Sequence, residues 1–277
     1  MSLSPSRLVL ISGGRLEFQH EGFVVMLTMT IWWLAILLEA ALLIRGIQEK
    51  LVRRFPIFYS YILFVFVEEF IRFTVYRWLS SRYSQVYWAT QFLSLVIGSA
   101  VIFEIYRVGL RSFPGTARMA RYLLLIVFGA VFAKTLANPS GGLFWWFAER
   151  SLMLERNLRI VQGLAILSLV LLFLWYAIPF GKNLKGILFG YGLFIAMSIV
   201  QLTLSDTWGD IRLFWPFVQP VSYLLVLGLW ATALWSAEPV PEGKRATQLE
   251  DDYEVLVAST RTQLRRAFAR LGWTARL

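Results

Sequence analysis

The sequence predicts an all-α fold: a polytopic membrane protein built as a bundle of seven transmembrane helices, amino terminus outside and carboxyl terminus inside. Three observations predict it. First, 58% of the 277 residues are hydrophobic and only 16% are charged, where a soluble domain carries roughly 45–50% and about 25%. Second, the chain contains seven apolar stretches near the roughly 20 residues that cross a hydrocarbon core of about 30 Å. Third, Lys and Arg are shared unequally between alternate loops. The mean hydropathy of +0.62 agrees with the first point.

Residues 1–22 form an extracytoplasmic amino-terminal segment. Arg7 precedes only Leu8-Val9-Leu10-Ile11 before Ser12-Gly13-Gly14 interrupts. That run is too short for the apolar region of a cleavable signal peptide. The transmembrane domain, 23–236, begins with span 23–44, which carries Glu39, and span 56–76, which carries Glu68, Glu69 and Arg72. Span 86–106 and the last three, 160–180, 186–205 and 213–235, have uncharged cores. The fourth, 122–137, is the weakest, being short and ending in Lys134 before Asn138-Pro139. Arg118, Arg121 and Pro139 bound it, and without it six spans would remain and everything downstream would invert. Ahead of the fifth span, 139–157 reads either as an amphipathic interfacial piece or as an outward extension of the fifth helix. In the latter, Glu155, Arg159 and Gln162 align at i, i+4 and i+7.

A linker, 237–246, carries Glu238-Pro239-Val240-Pro241-Glu242-Gly243. Thr247 with Glu250 then makes a capping-box pattern opening a cytoplasmic amphipathic helix over 247–273. Its apolar stripe runs through Leu249, Tyr253, Leu256, Thr260, Leu264, Phe268 and Leu271. Acids crowd its first turns and arginines its last, the order that suits a helix dipole. Such a helix lies on the inner leaflet, or docks a cytoplasmic partner or another copy of the chain. The tail is too short to hold a catalytic domain of its own.

Orientation follows from the short loops. One side and the near tail hold twelve Lys and Arg, among them Arg45, Arg53, Arg107, Arg111, Lys182 and Lys185. The other holds eight, among them Arg15, Arg77, Arg150 and Arg212. The richer side is the cytoplasmic one, and a cell (plasma or inner) membrane is the expected location.

Ionisable groups within a span cost roughly 2.5–3.5 kcal/mol at a helix centre, so they are expected to face protein. Arg72 projects between Glu68 and Glu69 around the second helix, leaving one acid in surplus. Counting about 1.5 Å per residue puts Glu68 roughly 12 Å, and Gln91, Gln201 and Gln219 roughly 6–9 Å, below the outer boundary. Gln162 and Lys134 lie about 3–5 Å below it, with Arg159 just above. The expected ligand-binding set is therefore Glu68, Glu69 and Arg72 at the centre, with Gln91, Lys134, Arg159, Gln162, Gln201 and Gln219 around them. A polar network that merely holds the helices together is the plainer alternative. Near the inner boundary, Glu39 and Glu104 read as snorkelling partners of Arg45 and Arg107.

Absent residue types close most catalytic routes. The chain has no cysteine and a single histidine, His20, so no cofactor or metal centre is expected. Glu68-Glu69-Phe70-Ile71-Arg72 leaves two residues between its second glutamate and its arginine, where the prenyl-type intramembrane proteases have three. Span 213–235 has no lysine for a retinal Schiff base. A nucleic-acid role is not expected, because the net charge of +10 resides largely in cytoplasmic loops. What remains is a receptor- or sensor-like protein binding a small polar or amphipathic ligand from the outer side. The alternatives are a small-solute or proton-linked carrier, and an enzyme acting on a lipid-type substrate with a carboxylate as general base.

Overall fold

A computed structural model describes residues 16–136, 143–176, 178, 181–207, 215–238 and 246–270. Among them the chain is helical throughout, in the order α1 (Leu16–Gln48), α2 (Leu51–Arg54), α3 (Pro56–Trp78), α4 (Tyr83–Gly109), α5 (Pro114–Leu136), α6 (Leu143–Trp175), α7 (Lys182–Thr207), α8 (Trp215–Ala233) and α9 (Ala246–Arg270). Among the described residues five helices contain segments long and apolar enough to cross a membrane: Met29–Gln48, Ser80–Gly109, Pro114–Lys134, Leu154–Trp175 and Lys182–Thr203. The other two expected spans fall on α3 and α8. α3 has the length but carries Glu68, Glu69 and Arg72 in one stretch. The apolar part of α8 is the shorter Pro220–Ala233.

The fourth span, weakest on sequence, is among the five. Its helix begins at Pro114, so Arg118 and Arg121 are inside the helix and not before it. Proline suits a first helical turn, where its missing N–H costs nothing. α6 runs unbroken from Leu143, which favours the outward extension over a separate interfacial piece. Pro139 to Gly142, the linker from Pro239 to Arg245, and Leu271 of the expected tail stripe lie outside the described residues.

α1 packs on α3 and α8, α3 on α4, α4 on α6, α6 on α7 and α7 on α8, closing a ring of six helices. α4 also meets α7 across the ring, while α5 lies outside against α4 and α6 and carries α9 at one end. The interior is mostly apolar, but the surface is apolar too, unlike that of a water-soluble protein. Glu39, Glu68, Glu104, Arg159 and Gln162 are buried, while Leu123, Ile126, Leu164, Leu171 and Leu174 are exposed. An apolar surface of this extent is a liability in water and the natural surface in lipid, where charged groups turn to the bundle interior. The chain is a membrane-embedded helical protein.

Two devices fix the ring. Glu104 on α4 accepts from the backbone N–H groups of Ile57 at 3.0 Å and Phe58 at 2.7 Å, capping the first turn of α3. Those N–H groups have no partner within their own helix, and a carboxylate also suits the positive end of the helix dipole. Trp230 of α8, fully buried, packs edge-on to Phe58 at 5.0 Å and stacks on Tyr191 at 6.5 Å. Gly190 on α7 permits this: a Cβ there would overlap the indole.

α9 docks by its first turns. Leu249 is buried, and Asp252 accepts from the Tyr176 hydroxyl at 2.8 Å. Further along, Tyr253 is half-buried while Leu256 and Thr260 are exposed; the side chains of Leu264 and Phe268 lie outside the described residues.

Candidate functional site

α3 ends where α4 and α6 begin, so Arg72, Gln91 and Glu155 come to one level at the same end of the bundle. Arg72 lies one turn beyond Glu68 on α3 and forms an ion pair with it. Its Nε donates to Thr90 Oγ1 at 3.0 Å and its Nη2 to Gln91 Oε1 at 3.2 Å. Gln91 Nε2 in turn donates to both carboxylate oxygens of Glu155, at 3.1 and 3.2 Å. Glu155 pairs with Arg159 at 3.6 Å. Arg159 Nη1 donates to Gln162 Oε1 at 3.4 Å, and Gln162 Nε2 donates to Ser99 Oγ at 3.1 Å. Ser99 passes its own hydroxyl hydrogen to the Leu95 carbonyl at 2.8 Å. The result is a continuous polar relay through α3, α4 and α6, about 10–12 Å long along the helix axes.

Its formal charges cancel, with Glu68 and Glu155 against Arg72 and Arg159. Each guanidinium also lies over an aromatic face: Arg72 at 4.5 Å from the Tyr87 ring centre and Arg159 at 4.7 Å from that of Phe194 on α7. Cation–π contacts of this kind gain strength when the pair is removed from water. Exposure falls along the relay. The side chains of Arg72 and Glu155 are 21% and 14% exposed, whereas Gln162 is at 0%. At the deep end, the Nε of Arg159 and the hydroxyl of Tyr191 are buried without a hydrogen-bond partner. The Tyr191 hydroxyl is aimed at the empty Cβ position of Gly98.

Of the residues expected from sequence, Glu68, Arg72, Gln91, Arg159 and Gln162 are joined directly. Glu69, the surplus acid, turns to α1 and accepts from Trp32 Nε1 at 2.6 Å. The first helix, to which no polar group in this layer was assigned on sequence, thus contributes through an indole. Gln201 is half-buried on α7. Lys134 is exposed on α5, outside the ring, and takes no part in the relay. Gln219 lies on α8, and its side chain is outside the described residues.

Sequence reasoning missed Glu155, Thr90 and Ser99 as site members. Glu155 carried a signal in its i, i+4, i+7 alignment with Arg159 and Gln162. The two hydroxyls carried none, because Ser and Thr in apolar helices ordinarily bond their own backbone. The expected inner cluster is corrected. Glu39 does not pair with Arg45; it is fully buried and accepts from the Tyr223 hydroxyl of α8 at 2.6 Å. Arg45 instead reaches Glu49 at 3.1 Å and the Trp235 carbonyl at 2.5 Å. Glu104 does approach Arg107, at 3.7 Å, but its main role is the cap on α3.

Among the described residues no group of three His, Asp or Glu side chains has the arrangement of a metal site. Comparison with known protein families, with curated proteins and with solved structures finds no match to this chain.

Proposed function

We propose that the chain crosses the cell membrane seven times, with α3 and α8 completing the five apolar spans, its amino terminus outside and its tail helix in the cytoplasm. In this reading it is a receptor- or sensor-like protein. The relay of Glu68, Arg72, Gln91, Glu155, Arg159 and Gln162 binds a small polar or amphipathic molecule arriving from the outer side. Glu69 flanks this set on α3, and Gln201 on α7 and Gln219 on α8 are the further members expected from their depth in the sequence.

The observation that carries the reading is the graded, charge-neutral relay, partly open at Arg72 and Glu155 and closed at Gln162. Helix adhesion alone needs no charge, since polar contacts between membrane helices average only about 0.6 kcal/mol. A buried ion pair is close to break-even against apolar packing, so a ligand group that replaces one partner exchanges equals. Gln91 of α4 bridges the two pairs, so a ligand group that displaces it from Arg72 or from Glu155 loosens α4 from α3 or from α6, which gives ligand occupancy a conformational consequence. The unpartnered Arg159 Nε and Tyr191 hydroxyl supply further donors at the deep end, where buried polar atoms without partners ask for one. The signal then leaves through α5 and α6, which hold the tail helix, to a cytoplasmic partner or a second copy.

A carrier needs a matching inner site. Of the two inner carboxylates, Glu104 is committed to the α3 cap and Glu39, fully buried, accepts from Tyr223 through one oxygen, and this enclosure favours a sensor. The test is thermal denaturation of purified protein against a panel of small carboxylates, phosphates and amines. One class is expected to stabilise the protein, by about 2.7 kcal/mol at a hundred times Kd, and to lose its effect in Arg72→Leu. The same compound should show no flux into liposomes; flux that disappears in Glu68→Gln identifies a carrier and overturns the sensor reading.

A further inference from the structure

At the end of the bundle opposite the relay, α7 and α8 enclose a groove of about 340 Å³. On α7 it is lined by Lys182, Lys185, Gly186 and Phe189, spaced i, i+3, i+4 and i+7 and therefore on one face. Leu229, Thr232 and Ala233 form the α8 wall. Gly186 creates the floor: a Cβ there would overlap that of Ala233, so the two backbones touch and the larger side chains stand up on either side.

The groove is held open by fixed parts. Asn183 Nδ2 donates to the carbonyls of Ala233 at 3.0 Å and Ser236 at 2.7 Å, and Asn183 Oδ1 accepts from the Glu238 N–H at 2.8 Å. The end of α8 is thereby tied to the start of α7. The charges at the mouth do not cancel. Lys182 pairs with Glu238 at 2.8 Å, whereas Lys185 has no carboxylate partner among the described residues and stands 5.9 Å from the Phe189 ring centre. Both lysines and Phe189 are exposed, at the point where the apolar segment Lys182–Thr203 begins.

We propose that this groove binds an anionic phospholipid, its phosphate against Lys185 with Lys182 beside it and an acyl chain laid over Gly186, Phe189 and Leu229. The combination selects the occupant. A soluble anion leaves the apolar floor uncovered, and a zwitterionic lipid gains little from an unneutralised lysine at the membrane surface. The site is separate from the relay and does not depend on the sensor reading.

The test uses the full chain in nanodiscs, with dioleoyl phosphatidylglycerol and dioleoyl phosphatidylcholine as probes and lipid retention read by native mass spectrometry. Phosphatidylglycerol is expected to be retained preferentially as a single adduct. Lys185→Gln should lower that retention about fivefold, as expected for loss of one lysine contact with an anionic headgroup. Thr232→Trp, which fills the groove while leaving both lysines, should abolish it. Thr232 and Lys185 are both exposed, so an unchanged melting temperature is expected in each variant. Equal retention of the two lipids, or retention unaffected by either variant, overturns the proposal. So does full displacement of the retained phosphatidylglycerol by glycerol phosphate alone, which would assign the lysines to a soluble anion.

Discussion

Removing the charge of Arg159 probes the relay where it is most enclosed. The Glu155–Arg159 pair is 3.6 Å apart, with side-chain exposures of 14% and 7%. Arg159→Leu leaves Glu155 with only the Gln91 amide, and loss of one partner from a buried pair costs about 3–5 kcal/mol. The retained amide places the expected cost at the lower end, about 3 kcal/mol. Glu155→Leu strands Arg159 in the same way at a similar cost. The double variant removes both charges and leaves Gln91 and Gln162 each short of one bond, roughly 0.6 kcal/mol apiece within a membrane. It should therefore lose only about 1 kcal/mol, so the two sites couple by about 5 kcal/mol. Unfolding in mixed micelles, followed through the fluorescence of the 12 tryptophans, measures all three variants. A double variant as destabilised as the sum of the singles would refute a buried, mutually neutralising pair.

Three further substitutions test the frame around it. Glu104→Ala should cost about 2 kcal/mol by stranding the N–H groups of Ile57 and Phe58, and Glu104→Gln about half of that; faster hydrogen exchange at those two amides is the readout. Glu39→Gln should be near neutral, because the amide oxygen still accepts from Tyr223. Glu39→Leu should cost about 1–3 kcal/mol, and adding Tyr223→Phe should recover most of the loss in melting experiments. Gly190→Ala should destabilise by about 1–3 kcal/mol through overpacking against Trp230, with a changed near-ultraviolet circular dichroism band from the displaced indole.

Hydropathy and the spacing of charges made the helical bundle and its membrane setting readable, because a span must be long and apolar whatever it packs against. α3 illustrates the limit of that logic. The three ionisable residues that lower its hydropathy, Glu68, Glu69 and Arg72, are the ones satisfied by neighbours, so composition alone undervalues the helix. Depth along a helix is additive in residue number, which is why Glu68, Arg72, Gln91 and Gln162 could be assigned to neighbouring levels before any packing was known. Which way each group turns depends on the ring order, and that is a tertiary property. Lys134 lies on α5, outside the ring, and only the ring order reveals that it faces away. Glu39 was assigned to the inner boundary by its distance from Arg45, yet the α1–α8 contact turns it to Tyr223. Glu155 aligns with Arg159 and Gln162 only if the fifth helix extends outward, one of two open readings of 139–157, and its bond to Gln91 depends on how α6 packs on α4.

Access to the relay from outside is the central claim, and the absence of cysteine makes it directly measurable. Gln91→Cys and Glu155→Cys, each the sole thiol, are exposed to a membrane-impermeant maleimide in sealed, right-side-out vesicles. Arg111→Cys reports from the opposite end of the bundle. The account predicts that the first two label from outside and that Arg111→Cys labels only after permeabilisation. Labelling of Gln91→Cys and Glu155→Cys from the inner side alone, or from neither side, would contradict it.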